Sequence, residues 1–183
     1  YTLNPDYISC TYGAGGTNVG KNLEVLKKIK ADGKCTPVTH FTCVANTKEG
    51  IKDQLQTYLD NGIDHMLALR GDIPFGWTGT NGALHYATEL VKFVRKEFGD
   101  KFTIAVAGSP EGHIACRSLE ADISFLKQKQ DVGADYIMTQ LCWDMDQFRY
   151  WMDAIRAAGI WLPVDVGIMP VLDAAATINM ALS

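Results

Sequence analysis

The stretch Asp60–Asp72, "DNGIDHMLALRGD", decides how the rest of the chain is read. Gly62 suits the left-handed turn just past a helix end, and the short apolar run behind it suits a strand buried on both faces. The run stops at Arg70, Gly71 and Asp72. A core strand that delivers two opposite charges at its end implies that something beyond the strand uses them.

Three further stretches repeat the phrase: "ADGKCTPVTHFTC" (Ala31–Cys43), "DVGADYIMTQL" (Asp131–Leu141) and "AAGIWLPVDVGIMP" (Ala157–Pro170). Each places a glycine after a helix-like segment and an apolar run directly after the glycine. Helical spacing of apolar residues predicts helices over Asn18–Lys30, Thr47–Asn61, His85–Phe98, Leu119–Val132 and Asp146–Ala158. Strands are predicted to start near Tyr7, Val38, His65, Thr103, Tyr136 and Val164, 27 to 38 residues apart. That interval is one βα unit with short loops, and such units build parallel sheets with right-handed crossovers. The expected fold class is α/β, a (β/α)8 TIM-type barrel that is incomplete here, with about six units in a single partial domain over residues 1–183. A closed barrel has eight units. The alternative is an open, doubly wound parallel sheet, for which six strands would suffice.

Composition narrows the function classes. With 47% hydrophobic residues the chain can bury a core, and a net charge of −4 without a basic stripe argues against a nucleic-acid partner. Five scattered cysteines without a Cys-x-x-Cys pair signal neither a disulfide framework nor a thiolate metal cage, so no metal is expected and a reducing, cytoplasmic compartment fits. No apolar run approaches a membrane span.

In either architecture ligands bind at the carboxyl ends of parallel strands. Those ends are polar: Thr11 and Tyr12 after the first strand, His40 and Thr42 on the second, Arg70 to Asp72 on the third, Glu111 and His113 after the fourth, Thr139 and Gln140 on the fifth. Each has a plainer reading. Arg70 and Asp72 could form a solvated ion pair worth about 0 to 1 kcal/mol. His40 could be a core histidine, and Gln140 could bond a neighbouring loop. Cys10 and Cys43 read as small hydrophobes. "GGTNVGKN" from Gly15 has the Gly-x-x-x-x-Gly-Lys spacing of a phosphate-binding loop, but Asn22 stands where a Mg²⁺-holding Ser or Thr is needed, which makes a nucleotide hydrolase the weaker reading.

"TYGAGG" (Thr11–Gly16), "THFTC" (Thr39–Cys43), "LRGD" (Leu69–Asp72), "YATELV" (Tyr86–Val91), "SPEGH" (Ser109–His113), "EAD" (Glu120–Asp122), "GADYIMTQL" (Gly133–Leu141) and "GIMP" (Gly167–Pro170) follow one another through almost the whole chain. In order and spacing they resemble the 5,10-methylenetetrahydrofolate reductase family. The resemblance implies a (β/α)8 barrel with FAD along the strand ends, FMN being the alternative. It also implies reduction of methylenetetrahydrofolate to 5-methyltetrahydrofolate with NADH or NADPH as donor, and a homo-oligomer.

Carried over by position, the resemblance makes Thr11 the nicotinamide contact. It places Tyr12, Ala14, His40, Arg70, Gly71 and Asp72 along the flavin, and Ala87, His113, Cys116, Asp122 and Lys129 along its ribityl, pyrophosphate and adenosine parts. Asp72 and Gln140 would be the catalytic and folate-contacting pair. The chain departs from the family pattern at Ser109, Phe125, Gln128 and Met180. The family's general-acid glutamate lies on a strand that would precede Tyr1, so the expectation is an internal piece lacking the first and last βα units. A noncatalytic folate- or flavin-binding relative, acting as a partner subunit, is the other reading this leaves.

Overall fold

The computed structural model describes residues 2–11 and 19–181. Six strands form one sheet: β1 (Tyr7–Cys10), β2 (Thr36–Thr42), β3 (His65–Leu69), β4 (Thr103–Gly108), β5 (Tyr136–Leu141) and β6 (Val164–Gly167). Helices α1 (Val19–Asp32), α2 (Lys48–Asp60), α3 (Ala87–Phe98), α4 (Leu119–Asp131), α5 (Met145–Ala157) and α6 (Ala174–Ala181) follow them in turn. A short 3-10 turn, Gly99–Lys101, links α3 to β4. Every strand pairs in parallel with its sequence neighbour, in the order β1-β2-β3-β4-β5-β6. A doubly wound sheet needs a point where strand order reverses, and there is none here. The winding is that of a (β/α) barrel, six units of it.

The repeated glycine has the predicted role. Gly33, Gly62, Gly133 and Gly159 all have positive φ, between 67° and 107°. Helix starts are fixed locally: Thr47 Oγ1 accepts the Gly50 N–H at 3.0 Å, Ser118 Oγ accepts the Ala121 N–H, and Asp144 Oδ1 accepts those of Asp146 and Gln147. β2 begins at Thr36, two residues earlier than its apolar run. Pro37 has no N–H to give a ladder but is tolerated at a strand's start, and the Thr36 N–H bonds the Asp6 C=O at 2.9 Å.

Side chains alternate across the sheet. Phe41, Met66, Ala68, Ile104, Val106 and Ile137 face the helices and join Leu26, Leu55, Tyr58, Leu90, Val94 and Trp151 in the main core. Their neighbours along the same strands, among them Val38, Leu67 and Ala105, are buried but belong to no helix-packed cluster. These line the inside of the curl. The curl is tight enough for β1 to touch β6 across the interior, where the Tyr7 hydroxyl donates to Asp165 Oδ2 at 3.1 Å. Burial and that carboxylate hold the Tyr7 hydroxyl up at about 12. No helix among the described residues is long and apolar enough to cross a membrane.

Candidate functional site

The exit of β3 is built around Gly71. Its φ is +88°, and a Cβ there would meet Val44 Cγ1 at 2.7 Å and Thr42 Cβ at 3.0 Å. Only glycine lets the chain turn out of the strand so close to β2. Arg70 Nε donates to the Gly71 C=O at 3.1 Å, while the Asp72 side chain is exposed. No ion pair joins Arg70 to Asp72, so the plainer reading of that pair does not apply.

On β2 the two inward polar side chains have buried atoms without partners: His40 Nε2 and Thr42 Oγ1. Burial also lowers the pKa of His40, favouring the neutral ring.

On the β4 side, four residues marked by the sequence come together. The Asp122 carboxylate accepts the His113 N–H at 3.2 Å and the Cys116 thiol at 3.6 Å. His113 Nδ1 in turn accepts the Ala115 N–H at 3.1 Å. Lys129 reaches from α4 to donate to the Ala107 C=O at 2.9 Å. Burial lowers the pKa of Lys129, with Asp122 and Cys116 opposing. One ammonium hydrogen is thus committed to the Ala107 carbonyl, and the charge faces Asp122 and Cys116. Ala87, half-buried, is the first residue of α3.

Gln140 lies exposed near the end of β5, beside an irregularity in the β5–β6 register between Met138 and Leu141. The Thr139 hydroxyl donates to the Gln140 C=O at 2.8 Å and accepts the Gly167 N–H at 2.9 Å. Gly167 packs directly on this backbone, for a Cβ there would lie 2.7 Å from the Thr139 carbonyl oxygen. The loops after β4 and β5 are tied together as well. Glu111 Oε1 accepts the Trp143 and Asp144 N–H groups at 3.0 and 3.4 Å, and Gln147 Nε2 donates to the Pro110 C=O at 3.0 Å. An open depression of about 790 Å³ lies between these loops, lined by Glu111 and residues 143–147.

Thr11 is exposed just past β1. Tyr12 and Ala14 lie outside the described residues, as do the first four residues of the Gly15–Asn22 motif and the side chain of Met180. Asn22 is described, and it serves the fold. Buried at 3% exposure, it donates through Nδ2 to the Cys10 and Thr11 carbonyls, and its Oδ1 accepts the Thr39 and Tyr58 hydroxyls. No capacity is left for Mg²⁺, and Lys21 points outward into solvent. The clue in the sequence is spacing: Asn22 shares the helical stripe of Leu26 and Ile29, where an apolar residue is expected. Cys43 is a buried thiol pushed up to about 11 by burial, as a small hydrophobe would be. Among the described residues no His, Cys, Asp and Glu side chains gather into a metal site.

A sequentially wound parallel sheet whose polar side chains collect at the strand C-termini defines a (β/α)-barrel protein with a candidate ligand site on that rim. Family and relatives sharpen this. The methylenetetrahydrofolate reductase family matches residues 1–182, and the chain belongs to that family. It is 38% identical to methylenetetrahydrofolate reductase 1 of Schizosaccharomyces pombe, covering 91% of this chain and 28% of the relative. It is 38% identical to the probable methylenetetrahydrofolate reductase (NADH) of Oryza sativa, covering 91% and 30%. With the 5,10-methylenetetrahydrofolate reductase of Escherichia coli it shares 35% identity over 93% of this chain and 56% of the relative. The chain therefore spans between about a quarter and somewhat over half of these relatives. Among solved structures, oxaloacetate acetylhydrolase in complex with 3,3-difluorooxalacetate superposes with a TM-score of 0.57 at 12% identity, covering 98% of this chain and 66% of that one; the fold alone is shared.

Proposed function

We propose that this chain carries the flavin- and folate-binding rim of an enzyme that reduces 5,10-methylenetetrahydrofolate to 5-methyltetrahydrofolate at the expense of NADH or NADPH. The reading is supported by the family match over residues 1–182 together with one structural observation: the motifs "LRGD", "SPEGH" and "TQL" lie at the C-terminal ends of three adjacent strands, β3, β4 and β5. Fit to a flavin is favoured by the chemistry of the donors. Two buried polar atoms on β2 lack partners, and Lys129 brings a cationic head to the β4 side of the rim. FAD is the proposed cofactor, with His113, Cys116, Asp122 and Lys129 on the side that distinguishes it from FMN. A bound flavin would accept hydride from the nicotinamide and pass it to the folate.

The chain's own residues have distinct tasks. Asp72, carried out of the sheet by the Gly71 turn, stabilises the positive charge that develops on the folate as its five-membered ring opens. A unit charge about 4 Å away at an effective dielectric near 20 contributes roughly 4 kcal/mol. Gln140, with both a donor and an acceptor on its amide, orients the pterin and the nicotinamide amide in turn. Thr11 contacts the nicotinamide. Lys129 and Arg70 meet phosphate oxygens. The Oryza relative carries NADH in its name; the Schizosaccharomyces and Escherichia relatives specify no donor.

The test is spectroscopic. Purified protein is titrated with FAD and with FMN, then mixed with NADH or NADPH and finally with methylenetetrahydrofolate. Flavin binding followed by bleaching with the nicotinamide is the expected result, and recolouring by the folate is expected where the chain sits in a protein that also carries the general-acid glutamate. Failure to bind either flavin overturns the reading.

A further inference from the structure

We infer that Thr42 is a cofactor contact, its hydroxyl acting with His40 Nε2 as a two-point polar shelf for the uncharged edge of a flat heteroaromatic ring, the isoalloxazine on the reading above. Thr42 is 5% exposed, yet its Oγ1 has no hydrogen-bond partner, and neither has His40 Nε2 two residues earlier. A buried hydroxyl left unpaired is destabilising, and a threonine on a strand can usually rotate Oγ1 to a partner. The two atoms belong to alternate residues of β2, hence to one face of the sheet, with backbones about 6.5 to 7 Å apart. That face is the inside of the curl, because Thr39, Phe41 and Cys43, which alternate with them, point to Asn22 and the helix-packed core.

The surroundings select the kind of ligand. Thr42 pairs in register with Leu69, His40 with Leu67, Leu67 with Ala105, and Ala107 with Met138. None of these residues joins the helix-packed cluster, and none carries charge. An uncharged wall with two polar atoms suits a planar ring bearing carbonyl and N–H groups, and it suits a phosphate poorly. The same wall has its roof at Gly71, whose missing Cβ would otherwise press on Thr42 Cβ and Val44. Because Oγ1 is sealed as the chain stands, a ring that bonds it must first displace what covers it. The unpaired hydroxyl is then a cost of the empty protein that the ligand removes.

Thr42→Val keeps the shape and deletes the hydroxyl, so stability and affinity should move in opposite directions. The chain and its T42V and T42S variants are melted without ligand, then titrated with riboflavin, FMN and FAD by quenching of flavin fluorescence. T42V should melt at or above the temperature of the unaltered chain. It should bind all three flavins about tenfold more weakly, a loss of about 1.4 kcal/mol, while T42S retains most of the affinity. A lower melting temperature for ligand-free T42V would show that the hydroxyl already has a partner, such as an internal water, and overturns the inference. Unchanged flavin affinity in T42V also overturns it, as does a loss confined to FMN and FAD, which would place the hydroxyl at a phosphate. If the unaltered chain binds none of the three flavins, the functional reading fails and this inference with it. Binding by the unaltered chain with no effect of T42V sinks this inference alone.

Discussion

At the scale of single residues, the rim separates groups whose charge does chemistry from groups whose neutrality is kept by burial. Asp72 belongs to the first kind. It is exposed, unpaired with Arg70, and held at the strand exit by a glycine turn that no other residue could make. In a protein with all eight strands, Asp72→Asn should therefore leave the melting curve nearly unchanged, since surface substitutions usually stay within about 0.5 kcal/mol. If even half of the roughly 4 kcal/mol available to a close charge is lost, the folate half-reaction slows by about thirtyfold. Flavin reduction by the nicotinamide should slow far less, so stopped-flow measurement of the two half-reactions checks the assignment; equal slowing of both would remove it. His40 belongs to the second kind. Its pKa is lowered by burial, so as pH falls below the ordinary histidine value of about 6.5 the unfolded chain takes up a proton that the folded chain refuses. Stability should decline as pH falls from there until the folded-state pKa is passed. His40→Gln should flatten that part of a urea-denaturation pH series, and an unaltered slope would mean that another group is responsible.

At the scale of elements, Asn22 shows how α1 is locked to the sheet. Its amide joins the end of β1 to Thr39 on β2 and Tyr58 on α2. Asn22→Leu would leave two carbonyls and two hydroxyls to find other partners in a buried place. A loss of about 2 to 4 kcal/mol is expected, read as a lower urea midpoint; a midpoint within error of the unaltered chain would deny Asn22 this role. The same residue marks the limit of what local pattern carries. Five of the six strands start where the apolar runs start, because the glycine turn and the buried run are encoded within a dozen consecutive residues. The polar strand ends were equally readable, since composition alone sets them apart. The links between elements were not: Glu111 meets the Trp143 and Asp144 N–H groups only when β4 and β5 lie side by side, and Asn22 finds Tyr58 only once two βα units have packed. Helix α6 also escaped notice. "AAATINMA" has no polar face to mark a helical period, although Asp173 stands just before it and its C=O accepts the Thr177 N–H at 3.0 Å.

At the scale of the whole molecule, the curl and the strand order together expose a problem of edges. β1 pairs only with β2, and β6 only with β5, so among the described residues each presents one unpaired row of backbone N–H and C=O groups. Natural edges are blunted by charge, proline or a covering loop. β1, "YISC", carries none of these within the strand, and its first side chain is turned inward to Asp165. Beyond β6, Ile168, Val171 and Leu172 are 76%, 57% and 91% exposed, which adds apolar surface beside the open edge. Edge pairing and apolar burial then both favour association of these 183 residues when they are made alone. The expected result in analytical ultracentrifugation is concentration-dependent self-association at micromolar protein, accompanied by a thermal transition that shifts with concentration. Lysine substitutions at Ile8 and Val166, one on each edge strand, should weaken it. Ile8 also packs against the core, so Val166→Lys is the cleaner variant. A sharp, concentration-independent melt of a monomer would mean that the two edges are satisfied within one chain.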